Sequence, residues 1–151
     1  MMCIREFEIV PDEGGFIAIP FGMEGATEGD TLEETVGMAA DWLQMQALDA
    51  LLHGYELPGA GMGNSPREGG AIVAIAVRVD IKDAPAMTAA QAARELGVST
   101  ARIAQMCAAG QLASWKVGST RMVACESVEE RLLSTPRPGR PQAEKNELIT
   151  A

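Results

Sequence analysis

Hydrophobic and polar residues alternate from Cys3 to Val10, with Phe7 and Ile9 on one side of the chain. Alternation with a period of two is typical of a strand that has one buried face. The turn formers Asp12 to Gly15 follow, and a second apolar run extends from Phe16 to Pro20. The two runs predict a β-hairpin.

Helical spacing replaces this alternation further along the chain. Thr31 and Glu34 have the spacing of a capping box, in which two side chains satisfy backbone N–H groups at a helix start. Gly54 follows His53 as a stop signal. The pattern predicts one long amphipathic helix whose buried stripe is Leu32, Val36, Ala40, Leu43, Ala47 and Leu51.

A loop rich in glycine and proline is predicted from Pro58 to Gly70. After it, Ala71 to Asp80 reads as a strand, with larger apolar residues on one face and small residues on the other. A short middle strand at Ala26 to Glu28 completes the order β-β-β-α-β. The predicted fold class is therefore α+β.

Two short helices separated by a glycine are predicted next. Thr88 and Gln91 form a second capping box, and Gly97 ends the helix through its tolerance of positive φ. Ser99 is the expected N-cap of a second helix that runs to about Ala109. One side of this second helix is expected to be buried through Ile103, Met106 and Cys107, and the opposite side is free to contact a ligand.

A strand–turn–strand ribbon and a closing helix follow the helix pair. The strands are expected at Ala113 to Val117 and at Arg121 to Ala124, and the closing helix at Glu126 to Leu133. This is a winged helix-turn-helix in outline. We therefore expect a first domain at residues 1–83, a linker at 84–86, a second domain at 87–134 and a tail at 135–151. Because both domains are small, a homodimer or higher homo-oligomer is expected.

Charge is divided unevenly along the 151 residues. Residues 1–86 contain 15 acidic and 4 basic residues, a net charge of −11, whereas residues 87–151 contain 8 basic and 6 acidic residues, a net charge of +2. The acidic half would be repelled by nucleic acid and attracted to a basic partner. The alternative is an acidic surface that serves solubility alone.

Candidate catalytic chemistry is sparse. Glu6, Glu8, Asp80 and Asp83 are the carboxylates that a two-metal nuclease would need, yet no spacing enforces their convergence. We therefore expect no enzyme activity, no metal site and no cofactor. The only histidine, His53, is expected to act at a helix end, where a positive charge favours the helix dipole.

Three cysteines, Cys3, Cys107 and Cys125, form no C-x-x-C pair and are odd in number. We expect no signal peptide in Met1 to Phe7, and the longest apolar run, Ala71 to Val77, is far shorter than the ~20 residues that span a bilayer. The sequence therefore predicts a cytoplasmic protein with free thiols and no membrane segment.

The run from Met87 to Ser99, together with Ala109 to Leu112, Lys116 to Gly118 and Arg121 to Val123, resembles the excisionase-like and MerR-like helix-turn-helix module. The resemblance implies a recognition helix in the major groove and a wing on the backbone or minor groove. The alternative is a module used for packing or dimerisation. The implied DNA-binding residues are Thr100, Ala101, Arg102, Gln105, Lys116, Ser119, Thr120 and Arg121.

A second basic element follows this module. Thr135 to Pro141 contains three prolines and two arginines, and proline excludes both a helix and a central strand there. Arg137 and Arg140 around Pro138 and Gly139 resemble the core of an AT-hook, which lies in a narrow minor groove. The alternative is a disordered tail that does not touch DNA.

The stretches Phe7 to Phe16, Phe21 to Glu28 and Glu28 to Thr35, followed by a long helix, resemble the HicB antitoxin domain. The resemblance implies a truncated RNase H-like fold and a separate DNA-binding domain. It also implies a partner, the basic mRNA-cleaving toxin HicA, and repression of the chain's own operon. The residues expected to contact the toxin are Asp12, Glu13, Glu24, Glu28 and Asp30. The alternative is a solitary helix-turn-helix regulator that has no toxin partner.

Overall fold

The computed structural model describes residues 1–134 and is a mixed α+β protein with four α-helices and two antiparallel sheets in that part of the chain. The chain divides into two compact units, the first spanning Met1–Ala84 and the second beginning at Pro85. Ala84 is buried, and Ala86 already belongs to the first strand of the second unit. The predicted arginine–proline arm at residues 135–141 lies outside the described residues.

The first unit contains a four-stranded sheet. Its strands are β1 (Met2–Asp12), β2 (Gly15–Pro20), β3 (Thr27–Gly29) and β4 (Ala71–Arg78), in the order β3-β2-β1-β4. The hairpin between β1 and β2 is confirmed, and β3 begins one residue later than predicted. The long strand β1 thus pairs with a neighbour along both edges.

Helix α1 (Leu32–His53) covers one face of this sheet. The Thr31 hydroxyl accepts from the N–H of Glu34, but the Glu34 carboxylate accepts from Asp30 instead of Thr31, so the predicted capping box is only half formed. Gly54 ends the helix in a left-handed conformation. Phe7 is fully buried under the helix, and its ring meets that of Trp42 edge-on at 5.9 Å between centroids. This pair anchors α1 to the centre of the sheet.

The predicted buried stripe of α1 is partly wrong. Leu43 and Ala47 are buried as expected, but Leu32 is exposed. The helix is rotated so that the small residues Thr35, Ala39 and Ala50 also face the sheet. Small side chains let the helix approach closely, and the Thr35 hydroxyl is satisfied by donating to the carbonyl of Thr31 at 2.7 Å.

The connection from α1 to β4 is a long loop, residues 54–70. A strand–helix–strand crossover usually produces parallel strands. Here the loop carries the chain back along the sheet, so β4 runs antiparallel to β1, with Cys3 opposite Val77 and Ile9 opposite Ala71.

The second unit contains three helices and a small sheet. The helices are α2 (Ala89–Leu96), α3 (Thr100–Ala108) and α4 (Cys125–Ser134). The sheet has the order β5-β7-β6, with strands β5 (Ala86–Thr88), β6 (Ser114–Val117) and β7 (Thr120–Ala124). Helix α2 and the closing helix α4 pack on the sheet, and α3 packs on α2. The sequence predicted every one of these elements to within about a residue except β5, which the pattern did not indicate.

The predicted caps of the helix pair are present. The hydroxyl of Thr88 accepts from the N–H of Gln91, whose side chain accepts from the N–H of Thr88, and Gly97 ends α2 with a φ of 66°. Ser99 caps α3 by accepting from the N–H of Arg102 at 3.1 Å. The core of this unit consists of Ala92, Ala93, Ile103, Met106, Leu112, Val123 and Val128.

Within residues 1–134, no helix is both long and apolar enough to cross a bilayer. The three cysteines are all free thiols. Cys107, expected on the buried face of α3, is only half-buried and packs against the edge of the core.

Candidate functional site

Helix α3 presents two long polar side chains, Arg102 and Gln105, to solvent among smaller residues. Ile103 and Met106 face the core, as the spacing predicts. The Arg102 guanidinium lies 3.4 Å from the Gln105 side-chain oxygen, so the two longest side chains of the exposed side are neighbours. The side-chain positions predicted to read DNA are all exposed on this helix: Thr100, Ala101, Arg102 and Gln105.

The ribbon formed by β6 and β7 is a tight hairpin. Gly118 adopts a φ of 63° in its turn, next to the exposed Ser119 and Thr120. Lys116 and Arg121 face each other directly across the two strands. Arg121 is half-buried and donates to the hydroxyl of Ser114 at 2.9 Å, which fixes its direction.

No carboxylate neutralises these cations. Residues 97–124, which contain α3 and the ribbon, include no aspartate or glutamate. Among residues 1–134, Arg102, Lys116 and Arg121 form no salt bridge. Like charges on directly opposed strand positions are destabilising unless an anion lies near them. Arg137 and Arg140, the remaining predicted DNA contacts, lie outside the described residues.

Four of the five predicted acidic contact residues lie near one end of the first sheet. Asp12 and Glu13 form the turn of the hairpin, and Glu28 and Asp30 flank the end of β3. The two segments approach so closely that a Cβ built on Gly15 would lie 2.6 Å from the Gly29 carbonyl oxygen. We call this group of exposed carboxylates the acidic end.

Two features of the acidic end were not anticipated. Glu33 and Glu34 in the first turn of α1 add two further carboxylates, and Glu34 accepts from the N–H of Asp30 at 3.0 Å. Glu24, the fifth predicted residue, is not part of the group. It lies in the turn after β2, at the opposite end of that strand, next to Gly25, which packs on the Trp42 ring.

The most densely bonded carboxylates of the first unit are Glu6 and Glu8. Both lie in the middle of β1 on the face away from α1, yet their side chains are only 8% and 2% exposed. Glu6 accepts from the backbone and side-chain N–H groups of Asn64 at 2.9 and 2.7 Å. Glu8 accepts from three backbone N–H groups at 2.8 Å, those of Arg67, Glu68 and Gly70.

These bonds set the protonation of both groups. Hydrogen bonds from Asn64 lower the pKa of Glu6 below its ordinary value of 4.5. Burial alone would raise the pKa of Glu8, but the three backbone donors and the positive charge of Arg67 outweigh burial and lower it. Both side chains are therefore ionised near neutral pH.

Cationic side chains hold the same loop from other directions. Arg5 donates to the carbonyl of Leu57 at 2.7 Å and to that of Pro58 at 3.0 Å. The Arg67 guanidinium stacks over the buried Phe21 ring at 5.2 Å. Residues 57–70 are thus held at several points against the face of the sheet that lies away from α1.

The other carboxylates weighed for catalysis lie apart from this cluster. Asp80 and Asp83 form a reciprocal capping box around a single 3-10 turn, Ile81–Asp83. The Asp80 carboxylate accepts from the N–H of Lys82 at 3.0 Å, and the Asp83 carboxylate accepts from the N–H of Asp80 at 3.2 Å. His53, the last residue of α1, has its Nδ1 2.9 Å from the carbonyl oxygen of Asp49.

Comparisons with protein-family models, curated proteins and solved structures gave no match to this chain.

Proposed function

We propose that the chain is an antitoxin and autorepressor of the HicB type. Its first unit would cover a basic, mRNA-cleaving, HicA-like toxin, and its second unit would hold operator DNA as a homodimer or higher homo-oligomer. The same scheme makes it a cytoplasmic regulator that needs no cofactor. The observation that carries the proposal is the separation of charge between two compact units of the chain.

The second unit supports the DNA half of the proposal. Two capped helices joined by a short glycine turn, followed by a two-stranded ribbon, have the order of a winged helix-turn-helix. Arg102, Lys116 and Arg121 are cations without a salt bridge in the described chain, which suits phosphate groups. Arg102 and Gln105 are the side chains of α3 with the reach to contact base edges.

The first unit supports the toxin half. Six exposed carboxylates lie at or beside the acidic end, and a toxin that holds RNA must present positive charge. The element order β-β-β-α-β favours the truncated RNase H-like fold. The antiparallel direction of β4 relative to β1 argues against a simple strand–helix–strand crossover, which usually gives parallel strands. Charge, rather than fold, therefore carries this half of the proposal.

A catalytic role is not part of the proposal. The oxygen atoms of Glu6 and Glu8 are occupied by five hydrogen-bond donors of the covering loop, and Asp80 and Asp83 cap a turn. These contacts give each carboxylate a structural reason to be present.

Co-expression tests the proposal. A short, strongly basic protein encoded beside this chain is expected to arrest growth when produced alone, and this chain is expected to relieve the arrest. The same purified chain is expected to shift a duplex from its own upstream region. DNA binding without relief of arrest would support the alternative, a solitary helix-turn-helix regulator, and the absence of both activities would exclude both functions.

A further inference from the structure

A groove of about 320 Å³ lies in the first unit between α1 and the chain that follows β4. Four of its residues come from one face of α1 at helical spacing, and two come from the segment at residues 79–83. The groove is lined by Asp41, Gln44, Met45, Leu48, Val79 and Asp83. It is separate from the acidic end, which reaches no further along α1 than its first turn.

The wall of the groove is apolar and open to solvent. Met45 is 65% exposed, and Met38, two helical turns earlier on the same side of α1, is 43% exposed. Methionine side chains adapt their shape to whatever packs on them. A cavity of this volume is at the lower limit for small ligands, so it has room for one or two protein side chains.

The polar atoms of the groove carry uncompensated negative charge. Asp41 has no hydrogen bond or ion pair among residues 1–134, and neither Asp41 nor Asp83 has a salt bridge there. The nearest cation in sequence, Lys82, forms no salt bridge within the described chain either. The groove therefore combines an apolar floor with two carboxylates that have no salt bridge in the described chain, of which Asp83 also accepts from the N–H of Asp80.

We infer that this groove binds an arginine side chain on an amphipathic segment of the cationic protein partner. The arginine methylene groups would pack on Met45, Leu48 and Val79, while the guanidinium would reach Asp41 and Asp83. This inference rests on the proposed function for the identity of the partner. It adds a second contact surface that has both shape and charge, whereas the acidic end has charge alone.

The full chain labelled with ¹³C at its methionine methyl groups provides the test. The probe is a short amphipathic peptide of leucine, alanine and arginine, and its control has glutamate in place of arginine. The Met45 methyl resonance is expected to shift saturably with the arginine peptide only, while Met2 and Met62 stay in place. If the Met45 methyl resonance does not shift, or if the resonances of Met45, Met2 and Met62 shift equally, the inference is overturned.

Matched variants sharpen the result. Asp41→Asn is expected to weaken peptide binding about fivefold, the upper end for the loss of one exposed ion pair. Glu56→Gln removes the same charge from an exposed site outside the groove and is expected to change nothing. Equal affinities of the two variants would contradict the assignment.

Rescue of growth separates the two proposals. If the chain relieves arrest by the basic neighbour and the double variant Asp41→Asn/Met45→Ser relieves it equally well, the groove inference fails and the antitoxin function stands. If the peptide binds as expected but no neighbour is neutralised, the antitoxin function fails and the groove remains an arginine-binding surface.

Discussion

Lys116 and Arg121 are directly opposed on the two strands of the ribbon, and neither has a carboxylate partner in the described chain. Two cations in this arrangement repel each other, and an isolated domain gains nothing from that repulsion. Phosphate groups of a nucleic acid would relieve it. The ribbon therefore gives the most direct route to testing DNA binding.

Removing single cations from α3 and the ribbon is expected to weaken DNA binding. Arg102→Ala and Lys116→Ala should each reduce the steepness of the fall of log K with log salt concentration by about 1, if each cation contacts one phosphate. Arg121→Ala should weaken binding as well, but it also removes the hydrogen bond to Ser114. Fluorescence anisotropy of an upstream duplex at several salt concentrations measures both effects.

Two controls belong with that experiment. Arg94→Ala removes an equal charge from α2, and Glu28→Lys changes the charge of the first unit. Both are expected to leave the salt slope unchanged. A slope that fell as much for Arg94→Ala as for Lys116→Ala would mean that net charge, and not the proposed face, determines binding.

The first unit is expected to lose stability in mild acid. The pKa values of Glu6 and Glu8 are lowered in the folded chain, so the unfolded chain binds protons more readily. Their stabilising contribution is therefore complete above the ordinary glutamate pKa of 4.5 and is lost as the pH falls through the lower, folded pKa values. Thermal unfolding followed between pH 7 and pH 3 measures this loss.

Glu8→Ala is expected to release the covering loop. Its three backbone donors, on Arg67, Glu68 and Gly70, would lose their acceptor, so the hydrogen bonds that hold this part of the loop on the sheet would be gone. Hydrogen exchange of those three amides should accelerate while that of Asn64, which bonds Glu6, changes less. Glu56→Ala, at an exposed position, is the matched control, and unchanged exchange in Glu8→Ala would show that the loop is held by other contacts.

Ile103→Ala is expected to destabilise the second unit by about 2–5 kcal/mol, because the side chain is fully buried in its core. Leu132→Ala removes a similar volume from an exposed position on α4 and should cost far less. Denaturant unfolding quantifies both. A small effect of Ile103→Ala would contradict the claim that Ile103 packs in the core that orients α3.

Local signals in the sequence predict the second unit well. Thr88, Gln91, Gly97 and Ser99 determine where the helices begin and end through contacts within a few residues, and such contacts can be recognised from spacing alone. Strand β5 was missed because three residues are too few to show a period, and its partner β7 lies far away in sequence.

The first unit was predicted less completely for the same physical reason. Period-two alternation places Glu6 and Glu8 on a solvated face, but the loop at residues 57–70 covers that face. No residue close in sequence to either glutamate indicates that its hydrogen-bond donors lie about 60 positions further along the chain. The buried side of α1 was likewise misjudged, because the close approach of helix and sheet favours Thr35 and Ala39 over the larger Leu32.

The segregation of charge also makes the molecule complementary to other copies of itself. The carboxylates of one copy and the cations of another should attract weakly at low ionic strength, and added salt should screen that attraction. The net charge of −9 opposes larger assemblies, so contacts between copies should stay weak. Short duplex DNA would compete for the same cations and should release such contacts.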